Sequence, residues 1–159
     1  MKDKLWIGKI VNYFGIKGEL KVVSDFEMAD RAFKENNTIY INNEKHLVTG
    51  CRFHHHNYLV KIDHINDINQ ITKYIGYDIY IDRNTLSLSD DEYLLDDLVG
   101  LDVCDGDEFI GKVESVNKNK VNPLIKVKGF YIPIYGNYIV KVSLSEKKIY
   151  CKNISSLML

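Results

Sequence analysis

The strongest constraint on this chain is a hydrophobic rhythm of two. Segments 19–25 (ELKVVSD), 37–42 (NTIYIN), 45–53 (KHLVTGCRF), 57–64 (NYLVKIDH) and 77–83 (YDIYIDR) are short and rich in Val, Ile, Tyr and Phe. Asn, Asp and Gly separate them. Alternation of this kind puts every second side chain on one face, which is what a half-buried strand requires. The rhythm resumes after Asp96 in LVGLDVCD, EFIGKVESV, LIKVKGFYIPI, YIVKVSL and KKIYCK. Many short strands at close spacing predict barrels or sandwiches. Two segments have a helical rhythm instead. EMADRAFKE sets Met28, Ala29, Ala32 and Phe33 on one side, and DINQITKYI spaces Ile68, Ile71 and Ile75 behind Asp67 as a candidate N-cap.

The strand rhythm breaks at RNTLSLSDDEY, a polar run of Asn, Ser and Asp. A boundary near Ser87 to Asp91 follows, with one domain over 1–86, a linker over 87–91 and a second domain over 92–159. At 159 residues the whole chain is long enough to bury roughly two thirds of its unfolded surface without disulfides or a structural metal. Cys51, Cys104 and Cys151 are odd in number and far apart, so no disulfide framework or zinc ribbon is expected, and a reducing cytoplasm is the simple location. The apolar run near the N-terminus is too short and too interrupted by Gly8 and Lys9 for a signal peptide or membrane span. With 21 basic and 22 acidic residues the net charge is -1, which argues against a protein wrapped in nucleic acid.

Three stretches invite a chemical reading. The first is YFGIKGELKV, Tyr13 to Val22, with Gly15 and Gly18 around Lys17. A nucleotide-binding loop needs a downstream Lys and hydroxyl, but Glu19 follows Gly18 directly. A dinucleotide fingerprint must open a helix. The RNA-binding KH loop shares the spacing but lies between helices. Both flanks here alternate as strands, so the glycines are expected to permit positive φ in a strand–turn–strand element. The second is CRFHHHNY. Neighbouring histidines in a strand face opposite ways, so only His54 and His56 are expected to share a side, with Cys51 opposite, and His46 and His64 are not recruited by spacing. A polar hairpin tip without metal is the expectation. The third is SDDEYLLDDLVG. Asp90, Asp91, Glu92, Asp96 and Asp97 crowd a junction that offers no nucleophile, so no catalytic residues and no cofactor are expected. Its apolar members Tyr93, Leu94 and Leu95 suit a protein contact better. Two lysine groups could meet phosphate or simply face water: Lys2, Lys4, Lys9, Lys17 and Lys21, then Lys118, Lys120, Lys126 and Lys128.

IGKIVNYFGIKGELKV followed by FKENNTIYI resembles the N-terminal half of the RimM family, the bacterial ribosome maturation factors also described as 16S rRNA processing proteins. DEYLLDDLVGLDVCD with FIGKVESV resembles the start of that family's second half, and FYIPIYGNYIVKVSLSEKKIYC resembles its closing Ile-Pro segment. The resemblance spans nearly the whole chain in order. It departs at Leu94, where the family commonly has a second aromatic, at Pro123 after Asn122, and at Ser143, where an Asp is usual.

The resemblance implies an all-β chain of two small β-barrel domains with one or two short helices. The N-terminal barrel would resemble that of translation factors, and the C-terminal one would be a PRC-type barrel. It implies a non-enzymatic, cytoplasmic, monomeric protein. Such a protein binds the immature small ribosomal subunit through the nineteenth small-subunit ribosomal protein in its head, and assists 16S rRNA maturation. Tyr93, Leu94 and Leu95 are then candidate partner anchors, and Gly15, Lys17 and Gly18 a candidate contact turn. The rival expectation is a stand-alone RNA-binding barrel that reads rRNA by stacking and charge.

Overall fold

The computed structural model describes residues 4–158. The chain divides between Ser87 and Leu88 into two compact units. Both are built from strands, so the fold is all-β.

The first unit is a closed barrel. Its strands are β1 (Lys4–Phe14), β2 (Glu19–Val23), β3 (Thr38–Ile41), β4 (Glu44–His54), β5 (Asn57–Ile62) and β6 (Asp78–Asp82). They pair in the cyclic order β1-β2-β5-β4-β3-β6, every pair antiparallel. Closing a ring of six strands demands strong bending, and the long strands supply it at bulges. The register of β1 shifts between Trp6 and Gly8 and again between Ile10 and Asn12, and that of β4 shifts between Val48 and Gly50. Gly8 sits at one such bend because the backbone has no room there: a Cβ would lie 2.8 Å from the Val22 side chain and 3.0 Å from the Val23 carbonyl oxygen.

Period-two burial fills the barrel with Ile7, Ile10, Leu20, Val22, Ile39, Ile41, Val48, Val60, Ile62, Ile79 and Ile81, all fully buried. Asn42–Asn43 joins β3 to β4 and His55–His56 joins β4 to β5, each pair with positive φ at both residues. That geometry matches the right-handed strand twist, and Asn and His enter it more readily than most residues.

The two helical segments are shorter than their patterns predict. EMADRAFKE yields one turn, α1 (Ala29–Ala32). The Asn37 side-chain amide donates to the Arg31 and Ala32 carbonyls, at 2.9 and 3.1 Å, and satisfies the backbone where the helix would have continued. Phe33, just beyond α1, is fully buried and meets the Tyr58 ring. DINQITKYI yields two 3-10 turns, Ile68–Gln70 and Thr72–Tyr74. Asp67 does cap the first, accepting from the Asn69 amide at 2.9 Å.

The second unit contains β7 (Asp102–Asp105), β8 (Glu108–Lys112), β9 (Ser115–Asn117), β10 (Leu124–Val127), β11 (Phe130–Pro133), β12 (Ile139–Ser143) and β13 (Lys148–Cys151). These form two sheets, ordered β12-β13-β7-β8 and β11-β10-β9. The only parallel pair among them is β13 with β7. Val103, Ile110, Val113, Ile125, Val127, Ile132 and Ile149 fill one core, closed by Leu98 before the strands and Ile154 after them. The unit is barrel-like in wrapping its sheets round a single core, but its strand ladder does not close into a ring. Ser143 is buried; its hydroxyl accepts from the Glu146 amide at 3.3 Å and so shapes the β12–β13 turn.

Candidate partner-binding surfaces

The GIKG turn joins β1 to β2, and its two glycines do different work. Gly15 has φ +66 and open space where a Cβ would point. Gly18 has φ +90, and a Cβ there would come 2.6 Å from the Ile65 carbonyl oxygen. Gly18 is therefore buried against the loop after β5, while Ile16, 76% exposed, and Lys17 stand out from the turn. The turn is anchored from beneath and presents its middle two side chains.

Glu19 faces neither the turn nor a ligand. Its carboxylate takes both Nε and a terminal nitrogen of Arg52, at 2.9 and 3.0 Å, from the far side of β5. The guanidinium holds the Glu19 carboxyl below its ordinary range, against the opposing effect of burial. The same guanidinium lies 5.4 Å from the Phe14 ring centroid, and Phe14 meets His54 edge-on at 5.0 Å. Arg52, Phe14 and His54 thus form a tiled patch on the outside of the barrel. The signal for this patch lay in strand register, which single-strand alternation does not supply.

The histidine run is a hairpin tip. Alternation predicted that His54 shares a side with His56. The left-handed turn breaks alternation, and the ring that meets His54, edge-on, is His55, with centroids 4.0 Å apart. Burial, then the neighbouring His55 and Arg52 charges, lowers the His54 pKa. Among the described residues no three His, Cys, Asp or Glu side chains gather as a metal set. His46 is buried elsewhere, its Nδ1 2.6 Å from Asp63 and its ring edge-on to Tyr74.

The acidic junction proves largely architectural. Glu92 accepts from the Ser89 amide at 3.0 Å. Asp97 accepts from the Leu94 amide at 2.8 Å and caps the 3-10 turn Leu95–Leu98. Asp96 pairs with Lys118 at 2.8 Å. The three apolar members separate. Tyr93 and Leu95 are half-buried and pack on the core of the second unit. Leu94 is only 4% exposed, so of the three candidate anchors it keeps the least surface. Strand and turn patterns could not show this, because burial in a non-repeating segment has no period. Of the early lysines, Lys4 is committed to Asp82 and lies over the Tyr40 ring, 3.6 Å from its centroid; Lys2 falls outside the described residues.

Fold and surfaces together define an all-β protein of two units, whose polar clusters mostly brace turns and strands. A family profile described as RimM N-terminal domain matches residues 5–86. A ribosome maturation factor RimM of Clostridium tetani is 33% identical over 164 aligned positions, covering 100% of this chain and 99% of its own length. A protein of the same name from Staphylococcus haemolyticus is 31% identical, covering 90% of this chain and 92% of its own. A solved 16S ribosomal RNA processing protein RimM from Pseudomonas aeruginosa is 23% identical and covers 94% of this chain and 97% of its own, with a TM-score of 0.49. The chain belongs to the RimM family.

Proposed function

We propose that this chain is a non-enzymatic ribosome maturation factor. It binds the free small ribosomal subunit at its head, through the nineteenth small-subunit ribosomal protein, and assists 16S rRNA processing in the cytoplasm. The observation that carries the reading is the end-to-end match to relatives named ribosome maturation factors. Among the described residues no helix is long and apolar enough to cross a membrane.

A factor of this kind acts by preferring one conformational state of its partner. It can shift that state's population only by its difference in affinity between states. The rigid turns and capped junction described above favour such selectivity, because a pre-ordered surface loses little entropy on binding. In this reading Tyr93 and Leu95 are the protein anchors, with Leu94 holding the segment from inside. Gly15, Lys17 and Gly18 form a second contact, with Gly18 as its base and Lys17 as its tip.

Co-sedimentation with small subunits, large subunits and assembled ribosomes tests the reading. Binding to free small subunits alone is expected; equal binding to assembled ribosomes overturns it. Tyr93→Ala should weaken capture of the nineteenth small-subunit protein by about 2 kcal/mol. Unchanged capture by the folded variant would remove Tyr93 from the contact.

A further inference from the structure

From Ser115 to Ser145 the sequence contains no Asp or Glu, although the chain has 22. Lys118, Lys120, Lys126, Lys128 and Lys141 fall within that span. Most of it is the sheet β9–β11, whose two faces are separated by alternation. Ile125, Val127, Phe130, Ile132 and Ile134 point into the core. On the other face Ser115, Lys126 and Tyr131 stand side by side across the three strands. Directly opposed residues of this kind have Cβ atoms about 5 Å apart.

The outward row continues along the chain. Tyr131 is 48% exposed and Tyr135, beyond the end of β11, is 62% exposed. Four residues of chain separate them, a span of at most about 14 Å. The Ile134 amide donates to the Pro123 carbonyl at 2.9 Å, which fixes the segment carrying Tyr135 beside the β9–β10 loop. In that loop the Asn119 side chain accepts from the Val121 and Asn122 amides, at 2.9 and 3.1 Å, and holds exposed Lys120 in an ordered turn. Lys128 occupies the β10–β11 turn with its stem over Gly111, where a Cβ would come 3.2 Å from Lys128 Cγ. Two carboxylates border the face. Asp96 takes Lys118, and Glu114 immediately precedes β9.

We propose that this outward face of β9–β11 binds single-stranded RNA. Lys120, Lys126 and Lys128 contact phosphates, and Tyr131 and Tyr135 stack on bases. The chemistry favours RNA over an acidic peptide because the face supplies both elements that nucleic acid needs. Lysines bordered by only these two carboxylates, one of them taken by Lys118, attract phosphate, and exposed flat rings suit unstacked bases. An acidic peptide would use the lysines and leave the rings unmatched. A duplex hides its base faces and would use only the lysines. The overall charge of -1 is no obstacle, since a local field can recruit a ligand while the remaining acidic surface limits non-specific binding. The choice of RNA over DNA rests on the proposed role in ribosome maturation; the existence of the site does not.

The test is fluorescence anisotropy with a short labelled mixed-sequence RNA oligonucleotide, titrated with the full chain at rising salt. Three phosphate contacts predict a slope of log affinity against log salt near about -2. The double variant Tyr131→Ala/Tyr135→Ala should lose about tenfold or more in affinity with its salt slope unchanged. Lys126→Gln/Lys128→Gln should flatten the slope by roughly 1.4. Lys147→Gln/Lys152→Gln, the same charge change off this face, should alter affinity by less than about twofold. All the altered side chains are at least partly exposed, and circular dichroism checks that each variant is folded. The proposal is overturned if the tyrosine and first lysine pairs bind RNA like the parent, or if a poly-glutamate peptide competes as well as unlabelled RNA. Small-subunit co-sedimentation separates the two readings. Subunit binding without RNA binding removes only this face; RNA binding without subunit binding removes only the maturation role.

Discussion

The two units solve the same problem, a small β core, in opposite ways. The N-terminal unit closes its ladder, so every strand has two neighbours and no edge faces water. The C-terminal unit splits its ladder into two sheets and keeps four edges, at β8, β9, β11 and β12. Exposed strand edges invite pairing with other chains, and this unit blunts them. Its edge strands are three to five residues long, and β12 carries a register shift between Ile139 and Lys141. Closure favours permanence, whereas an open, short-edged unit leaves flat sheet faces available for partners. The difference matches the placement of Tyr131 on an open sheet, with Tyr135 just past its end.

The comparison predicts separable cores. Ile79→Ala should cost the barrel about 3–4 kcal/mol, and Ile125→Ala should cost the second unit a similar amount. Differential scanning calorimetry should show each variant lowering a different transition; one shared transition moving equally in both would break the contrast. Gly18→Ala comes next, at about 2 kcal/mol or more, because it combines positive φ with a backbone clash at Ile65. Gly15→Ala has only the φ penalty and should cost about half as much. Urea unfolding measures both, and equal losses would deny the anchoring role of Gly18.

A smaller effect distinguishes the surface of the barrel. Glu19→Gln should cost at most about 1 kcal/mol at neutral pH, because its pair with Arg52 is partly solvated. The folded-state pKa of Glu19 is depressed below its ordinary 4.5. Its stabilisation is therefore complete above the unfolded value and disappears as pH falls through the folded one. The difference between parent and variant in urea midpoint should shrink on acidification below about pH 4.5; a gap that persists at low pH would show that packing, not charge, is at work. At the bottom of the scale, Lys118→Ala should change stability by less than about 0.5 kcal/mol, as its partner Asp96 is exposed.

The sequence made the strands legible because alternation records burial directly. It showed Asp67 as a cap and the glycine pair as a turn for the same reason: those residue types have few other local uses. It overestimated α1, since an amphipathic pattern does not reveal that Asn37 will capture the Arg31 and Ala32 carbonyls. The candidate surfaces were less legible. Leu94 sits among carboxylates in a segment without period, and only tertiary packing decides that its side chain is enclosed. The neighbour of His54 depended on two left-handed residues that no alternation rule anticipates. Glu19 read as unsuited to phosphate, and its actual partner lies 33 residues away across β5.

The parallel pairing of β13 with β7 carries a consequence for synthesis. β1, the first strand of the barrel, needs β6, its last, and β7, the first strand of the second unit, needs β13, the last of all. Each unit is thus fastened by its final strand, and neither can be complete until that strand has left the ribosome that makes it. During translation the barrel can finish once residue 82 emerges, while the second unit must wait for residue 151 with β7 still lacking one neighbour. Such long-range closure slows folding. A chain cut short before Lys148 would release a sound barrel trailing an unfinished partner with an open central strand, a natural substrate for quality-control proteases.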